Sequence, residues 1–273
     1  MTSQTRPAYG SPDTTSPPVA LVTGGSLGLG RALTLELASR GWQVIVDARD
    51  GSRLRDVVTG ASRDGAGQSG AGQSGAGPSG AGRNSAGGRI SAVPGDVTDP
   101  AHRAELVAAV HRAGRLDLLV SNASVLGPSP QPSLADYPLD ALREVYAVNT
   151  FAPLALWQGL LPDLRRSAGV VVHVSSDAAV EAYPGWGGYG SAKAALDQLT
   201  AVIGAENPDL AVYALDPGDM ATDLHQQAFP GEDISDRPAP STVVPAFLAL
   251  LDSRPPNGRY RAADLLAAAA VTR

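Results

Sequence analysis

Short apolar runs separated by longer segments follow one another along most of the chain. Each run has four to six residues, and several, such as VALV at 19–22 and VVHV at 171–174, are apolar without alternation. Unbroken apolar runs of this length are typical of strands that are covered on both faces of a sheet. We predict strands at Val19–Val22, Trp42–Asp47, Ile90–Val93, Leu116–Val120, Val170–Val174 and Leu210–Leu215.

Segments with helical patterns lie between these runs, and the first of them ends at Gly41, a residue type that often terminates helices. We predict helices at Leu29–Arg40, Pro100–Ala113, Ala141–Val148, Thr150–Arg166, Tyr189–Ile203 and Thr242–Leu251. Alternating strands and helices predict an α/β fold with a single Rossmann-type, doubly wound parallel sheet and helices on both faces. Ligands of such sheets bind beyond the carboxyl ends of the strands.

Two segments depart from this pattern. Residues 65–82 read GAGQSGAGQSGAGPSGAG, and eleven of the 31 glycines lie between Gly60 and Gly88. Because such a composition behaves as flexible coil, we interpret residues 60–88 as a low-complexity insertion that is expendable for folding; a partner-binding segment is the alternative. Residues 1–18, with four prolines, are predicted to be a disordered N-terminal extension, which leaves residues 19–273 as one domain.

The composition argues against several classes of function. With 21 Lys and Arg against 27 Asp and Glu, the net charge of −6 has the wrong sign for binding nucleic acid. The absence of cysteine excludes disulfides and thiolate catalysis. Residues 1–18 lack the apolar region of a secretory signal, and the longest apolar stretches are about half of what a bilayer requires. We therefore expect a cytoplasmic protein with no membrane partner.

A glycine-rich turn directly follows the first predicted strand. Residues 23–30 read TGGSLGLG and lead into a predicted helix. Glycines allow a sharp turn and a close approach of the backbone to a ligand, while the helix N-terminus offers free N–H groups and the positive end of its dipole. This context predicts a site for the pyrophosphate of a dinucleotide.

A phenol and an ammonium group share one face of a later helix. Tyr189 and Lys193 are four residues apart, so their side chains are neighbours on the helix surface. A fixed positive charge beside a phenol favours the phenolate, which brings the pKa of the phenol towards a range where it can exchange protons. Ser176 follows an apolar strand and lies thirteen residues before Tyr189.

The T-G-x-x-x-G-x-G spacing and the Tyr-x-x-x-Lys pair resemble the short-chain dehydrogenase/reductase family, whose landmarks occur in the same order from residue 19 to about residue 222. The resemblance implies a catalytic tetrad of Asn149, Ser176, Tyr189 and Lys193. Tyr189 would exchange a proton with the substrate oxygen, and Ser176 would donate a hydrogen bond to that oxygen. Lys193 would lower the pKa of Tyr189 and bind the nicotinamide ribose, while Asn149 would hold a water in the proton relay.

The resemblance also implies where the cofactor binds. Asp96 is expected beside the adenine, Asn122 in a segment that supports the sheet, and Pro217 and Gly218 along the nicotinamide. Ser124 stands where the family pattern has glycine, a departure expected to stiffen the turn. The implied cofactor-binding residues are Thr23, Gly24, Ser26, Leu27, Gly28, Gly30, Arg49, Asp96, Val97, Asn122, Tyr189, Lys193, Pro217, Gly218 and Thr222.

The end of the second predicted strand bears on the choice of dinucleotide. An acid there accepts a hydrogen bond from the 2′-hydroxyl of NAD, whereas an arginine pairs with the 2′-phosphate of NADP. Ala48 fills the usual place of the family's discriminating acid, and Arg49 resembles the arginine of NADP-preferring members. Two features argue the other way: Asp47 lies close by, and Leu27 stands where NADP-preferring members often have a second basic residue. On the strength of Arg49, NADP(H) is favoured, and NAD(H) stays open.

The substrate cleft is predicted from residues 124–137, 177–188 and 220–237, the last of which resembles the family's variable lid. Trp186 and Tyr183 either line an apolar pocket there or anchor a loop.

The four histidines give no sign of a metal site, because no two have the spacing of metal ligands. We expect His102 and His111 to be solvated and His173 to be packed in the core. His225, in the lid segment, is the only one of the four that we consider a candidate for substrate contact.

The favoured hypothesis is an NAD(P)-dependent oxidoreductase that transfers a hydride between the nicotinamide and a small-molecule ketone or secondary alcohol. A catalytically silent dinucleotide-binding sensor or interaction protein is the alternative, which the presence of both Tyr189 and Lys193 disfavours. Epimerisation or dehydration with the same cofactor is a third hypothesis, disfavoured by the glycine spacing. The resemblance implies a homodimer or homotetramer formed through the helices that begin at Thr150 and Tyr189.

Overall fold

A computed structural model describes residues 16–60, 81–83 and 88–271 of the chain. Residues 1–15, 61–80, 84–87 and 272–273 lie outside the described residues. The predictions for the N-terminal extension and for most of the glycine-rich repeat fall there and stay predictions. Within the described ranges, no helix is both long and apolar enough to cross a membrane.

The described strands form one sheet. They are β1 (Val19–Val22), β2 (Gln43–Ala48), β3 (Ala81–Arg83), β4 (Arg89–Pro94), β5 (Leu118–Ser121), β6 (Val170–Val174), β7 (Ala211–Asp216) and β8 (Gly258–Arg261). Their order across the sheet is β3-β4-β2-β1-β5-β6-β7-β8, and every neighbouring pair is parallel except β3 with β4. The predicted doubly wound parallel sheet is confirmed, with an antiparallel edge strand that the sequence analysis did not predict.

Helices connect the strands. They are α1 (Gly28–Ser39), α2 (Gly51–Thr59), α3 (Pro100–Ala113), α4 (Leu139–Tyr146), α5 (Ala152–Arg166), α6 (Gly187–Glu206), α7 (Asp223–Ala228), α8 (Val244–Ser253) and α9 (Ala262–Val271). A π-helical turn at Ala147–Phe151 joins α4 to α5. The sequence analysis missed α2, α7 and α9, and the bounds of α3 are those predicted.

The sheet is packed on both faces, as its unbroken apolar strands require. Leu33 and Leu37 of α1 are buried in the core on one face. Leu106 of α3 and Leu156 of α5 are buried in the core on the other. Because the chain leaves β1 over the first face and enters β5 from the second, a crevice opens at the carboxyl ends of these two strands.

The two ends of the glycine-rich segment belong to the fold. Gly60 ends α2 with a φ of 69°, a left-handed conformation. Gly88 is buried directly before β4, and a Cβ atom added there would lie 1.9 Å from the carbonyl oxygen of Ala38. Ala81–Arg83 pairs with β4. The range of residues that can be expendable is therefore shorter than the predicted 60–88, because Gly60 ends a helix and Gly88 packs against α1.

We predict that Gly88→Ala lowers the free energy of unfolding by about 1–3 kcal/mol, since the new methyl group must displace the backbone of α1. Urea denaturation measures this loss. Gly75→Ala, within the repeat, and a deletion of residues 65–80 are the controls and are expected to leave the urea midpoint unchanged. A Gly88→Ala protein as stable as the Gly75→Ala protein would show that the insertion extends to residue 88.

Candidate functional site

The turn after β1 presents its backbone to the crevice. Gly24 and Gly28 have φ values of 67° and 51°, which favour glycine. The residue before α1 is Leu27, whose side chain accepts no hydrogen bond from the first turn, and no acidic residue lies in that turn. The N–H groups at this helix end are therefore open to an anion such as a pyrophosphate.

Thr23 and Gly30 support this turn from behind. The Thr23 hydroxyl oxygen accepts hydrogen bonds from the N–H groups of Asn122 and Ala123, both at 3.0 Å. The Asn122 side-chain amide donates to the carbonyl oxygens of Thr23 at 2.9 Å and Gly24 at 3.2 Å. A Cβ atom on Gly30 would lie 2.4 Å from that amide nitrogen. Thr23 and Gly30 thus fix the shape of the turn and do not line the cavity in front of it.

A buried carboxylate holds the other side of the turn. Asp47, at the end of β2, is 1 % exposed. Its Oδ1 accepts a hydrogen bond from the Gly24 N–H at 2.8 Å, and its Oδ2 lies 3.1 Å from Nε2 of His102. The expectation of a solvated His102 is wrong, because α3 packs this side chain against Asp47 with 5 % exposure. Asp47 also lines the cavity described below, but each of its oxygens already has a partner inside the protein, and the side chain is almost fully buried.

A cavity of about 450 Å³ lies at the carboxyl ends of the strands. It brings together most of the predicted site. The predicted residues that line it are Gly24, Ser26, Leu27, Gly28, Arg49, Asp96, Val97, Asn122, Ser176, Tyr189, Lys193, Pro217, Gly218 and Thr222. Arg53 of α2 and Asp216 of β7 also line it and were missed by the sequence analysis.

Tyr189 and Lys193 meet on the inner face of α6. Lys193 is 1 % exposed, and its Nζ donates to the Val174 carbonyl at 2.7 Å and lies 5.6 Å from the centre of the Tyr189 ring. Burial lowers the pKa of Lys193 to about 8, against the opposing charge of Asp197. Burial likewise raises the pKa of Tyr189 to about 12. The net shift of the Tyr189 pKa is therefore upward and dominated by burial, opposite in direction to the lowering expected from Lys193.

Two hydroxyl groups and two carboxylates shift the pKa of the Tyr189 phenol in opposite directions. Hydrogen bonds with Ser124 and Ser176 lower its pKa, while the charges of Asp177 and Asp216 raise it. Ser176 is the predicted partner, and its Oγ also lies 2.9 Å from Oδ1 of Asp177. Ser124 was expected only to stiffen its turn. Its departure from the family's glycine was the sequence signal that could have identified it.

Asn149 lies behind this group and does not line the cavity. It is fully buried in the π-helical turn between α4 and α5. Its Oδ1 accepts from the Ser124 hydroxyl at 3.2 Å and the Val125 N–H at 3.0 Å, and its Nδ2 donates to the Val125 carbonyl at 2.9 Å. Its side chain therefore holds the segment that presents Ser124 to Tyr189.

Aromatic side chains form one wall near Tyr189. Trp186 lines the cavity, with its ring centre 5.9 Å from that of Tyr189 and 6.1 Å from that of Phe229. Tyr183 is 44 % exposed and does not line the cavity. His225 does line it, and its ring lies 4.9 Å from the Phe229 ring.

His173 is packed in the core of β6, as predicted. Burial, together with the charge of Lys193, lowers its pKa to about 4. It is therefore neutral at physiological pH and carries no charge into the site.

Comparisons with known proteins agree with this arrangement. The model of the short chain dehydrogenase family matches residues 79–233, which is more than half of the chain. An uncharacterised oxidoreductase of Schizosaccharomyces pombe is 35 % identical over 132 residues, or 48 % of this chain and 52 % of that protein. The chain thus spans about half the length of this yeast relative. Mouse sepiapterin reductase is 31 % identical over 223 residues, 77 % of each protein.

A solved structure gives the same result for the whole fold. A short chain dehydrogenase from Shigella flexneri, complexed with NADP, superposes with a TM-score of 0.77 at 25 % identity, covering 90 % of this chain and 97 % of that one. The matched family region contains Ser176, Tyr189 and Lys193, which the structure places around one cavity. The chain belongs to the short-chain dehydrogenase family.

Proposed function

We propose that this protein is an oxidoreductase that interconverts a ketone and a secondary alcohol with NADP(H). The observation that carries the proposal is that Ser176, Tyr189 and Lys193 line one cavity together with the glycine-rich turn. The N–H groups of the helix that follows this turn are not capped by a side chain. A dinucleotide fits this shape, because the open N–H groups after Leu27 suit its pyrophosphate and Arg49 suits a further phosphate. When bound, the nicotinamide supplies or accepts the hydride.

The chain's own residues handle the proton and the oxygen. With its pKa raised to about 12 by burial, Tyr189 is protonated at neutral pH and can give its proton to the oxygen of a ketone as that oxygen gains charge. Ser176 donates a hydrogen bond to the same oxygen. Lys193 is held by the Val174 carbonyl at a position that faces the ring of Tyr189. At neutral pH Tyr189 is thus in the protonation state that proton donation to a ketone requires.

The preference for NADP(H) rests on the charges at the far end of the cavity. Arg49 and Arg53 both line this end. Asp47, the acid that could favour NAD, is directed towards Gly24 and His102 and is almost fully buried. Arg53 lies 3.4 Å from an oxygen of Asp50 and is about half exposed, so Arg49 is expected to contribute more to binding a 2′-phosphate. The NADP named in the Shigella structure supports this preference.

We predict that Tyr189→Phe lowers kcat/KM for ketone reduction by about 10²- to 10⁴-fold, because the variant cannot donate the proton. NADPH absorbance is followed with a panel of ketones that includes sepiapterin, the compound named in the mouse relative. NADPH binding is the control and is expected to be largely retained, because the variant removes one hydroxyl from an extended set of implied cofactor contacts. Equal rates in both proteins would disprove the role of Tyr189, and NADPH binding without turnover of any ketone would favour the silent dinucleotide-binding alternative.

We predict that NADP⁺ raises the melting temperature more than an equal concentration of NAD⁺, because preferential binding stabilises the folded state. Arg49→Leu is expected to weaken NADP⁺ binding about 10- to 100-fold, the loss of one or two charge-assisted hydrogen bonds, and to leave NAD⁺ binding nearly unchanged. Arg89→Leu, an exposed change on β4, is the matched control. A larger shift with NAD⁺ would reverse the cofactor assignment.

A further inference from the structure

One arginine on the last strand reaches three parts of the active centre. The guanidinium group of Arg259, in β8, donates from Nη2 to the carbonyl oxygen of Ser176 at 2.9 Å and to Oδ2 of Asp216 at 2.9 Å. Its Nε donates to Oδ2 of Asp197 at 3.0 Å. These partners lie after β6, at the end of β7 and on α6. Arg259 itself does not line the cavity.

Each of the three partners is tied to a group of the proposed reaction. Arg259 holds Ser176 through the backbone carbonyl, so it does not engage the hydroxyl that faces Tyr189. Asp216 accepts the N–H of Gly218 on its second oxygen at 3.0 Å, so Arg259 also fixes the start of the segment that lines the cavity after β7. Asp197 follows Lys193 by one helical turn, and its charge favours the protonated form of Lys193.

The charges of this cluster are largely removed from solvent. The side chains of Arg259, Asp197 and Asp216 are 25 %, 14 % and 6 % exposed. A buried carboxylate without a partner is costly, and its field acts strongly on nearby titrating groups. Arg259 supplies the positive charge that faces both carboxylates.

The groups that face the Tyr189 phenol come from four elements. Ser124 follows β5, Ser176 and Asp177 follow β6, Asp216 ends β7, and Lys193 lies on α6. Asp177 and Asp216 disfavour the phenolate, and Arg259 contacts only the second of these carboxylates. The charge of Arg259 therefore offsets one of the two negative fields at Tyr189.

We infer that Arg259 is a positioning residue of the active centre: it fixes the backbone of Ser176 and neutralises Asp216 beside Tyr189. This inference rests on the proposed function. It assigns a role in the reaction to the far edge of the sheet, at a residue that touches neither the substrate cavity nor the glycine turn.

The test compares Arg259→Leu, Asp216→Asn, the double variant, and Arg259→Lys, with Arg89→Leu as a control that removes an exposed strand arginine elsewhere. The pH profile of alcohol oxidation with NADP⁺ reports the ionisation of Tyr189. In Arg259→Leu, the unbalanced Asp216 is expected to lower the phenolate fraction about 3- to 10-fold at each pH below the Tyr189 pKa, which moves the rising limb to higher pH by about 0.5–1 unit. The loss of the Ser176 backbone contact is expected to lower kcat about 10-fold or more. The double variant is expected to return the rising limb to the pH of the unmodified protein. Arg259→Lys keeps the positive charge and is expected to leave the limb close to that pH.

A purely structural role predicts a different result. Arg259→Leu would then have a lower melting temperature and a smaller active fraction, while the rising limb stayed at the same pH. Adding Asp216→Asn to Arg259→Leu would restore nothing. Either result overturns the inference.

Failure of the proposed function is recognised separately, because the unmodified protein would then turn over no alcohol or ketone. In that case the phenolate absorbance at about pH 11, taken as the difference from a Tyr189→Phe background, measures the same ionisation directly. Less phenolate in Arg259→Leu, restored in the double variant, supports the charge assignment without turnover. Equal phenolate in all proteins overturns it.

Discussion

Strand β1 pairs in parallel with β2 on one side and with β5 on the other, and the connections to these neighbours run over opposite faces of the sheet. No connection can then cover the carboxyl ends of β1 and β5, so a crevice must open there. The turn at Gly24 and the segment at Asn122 are placed on its two sides by the register of these strands. The same parallel arrangement carries Val174 and Asp216 to the same edge, where the cavity lies.

Several ionisable side chains at the carboxyl ends of the strands are buried. Their hydrogen-bond partners include backbone groups at or just after the ends of neighbouring strands. Moving a charge out of water costs several kcal/mol unless other groups replace the lost hydration. Lys193 is held by the carbonyl at the end of β6, and Asp47 by the N–H of Gly24 and by His102. Each interaction satisfies a charge and at the same time fixes a backbone segment. The site is therefore organised before any ligand binds, which is the condition for electrostatic stabilisation of a developing oxyanion.

The features that the sequence predicts well are the local ones. The bounds of α3 follow from Asp99, whose side chain accepts from the Ala101 N–H, from Pro100 in the first turn, and from Gly114 in the left-handed conformation. The missed helix α2 carries similar signals, since the side chain of Asp50 caps it and Gly60 ends it. Its polar composition and its position before the repeat concealed a pattern that these two residues define.

Contacts between distant residues could not be predicted in the same way. Asp47 and His102 are 55 residues apart, and Arg259 and Ser176 are 83 apart. Periodicity places each residue on an element but does not give the side chain that a neighbouring element brings against it. The same limit applies to Tyr189, whose charge partner is visible in the sequence, whereas the burial that raises its pKa to about 12 depends on the packing of α6.

Ser124 shows how a departure from a family pattern can be evaluated physically. A glycine is required where φ is positive or where a Cβ atom meets its neighbours. Among the described residues, the non-glycine positions with positive φ are Ala168 and Arg254, so the backbone at Ser124 accepts a side chain without this strain. Its Oγ lies 3.2 Å from Oδ1 of Asn149, and its hydrogen bond with Tyr189 lowers the pKa of the phenol, the same direction as the effect of Ser176. Serine at this position thus adds a polar group that favours ionisation of the phenol. The departure from glycine therefore does not support the alternative of a catalytically silent dinucleotide-binding protein.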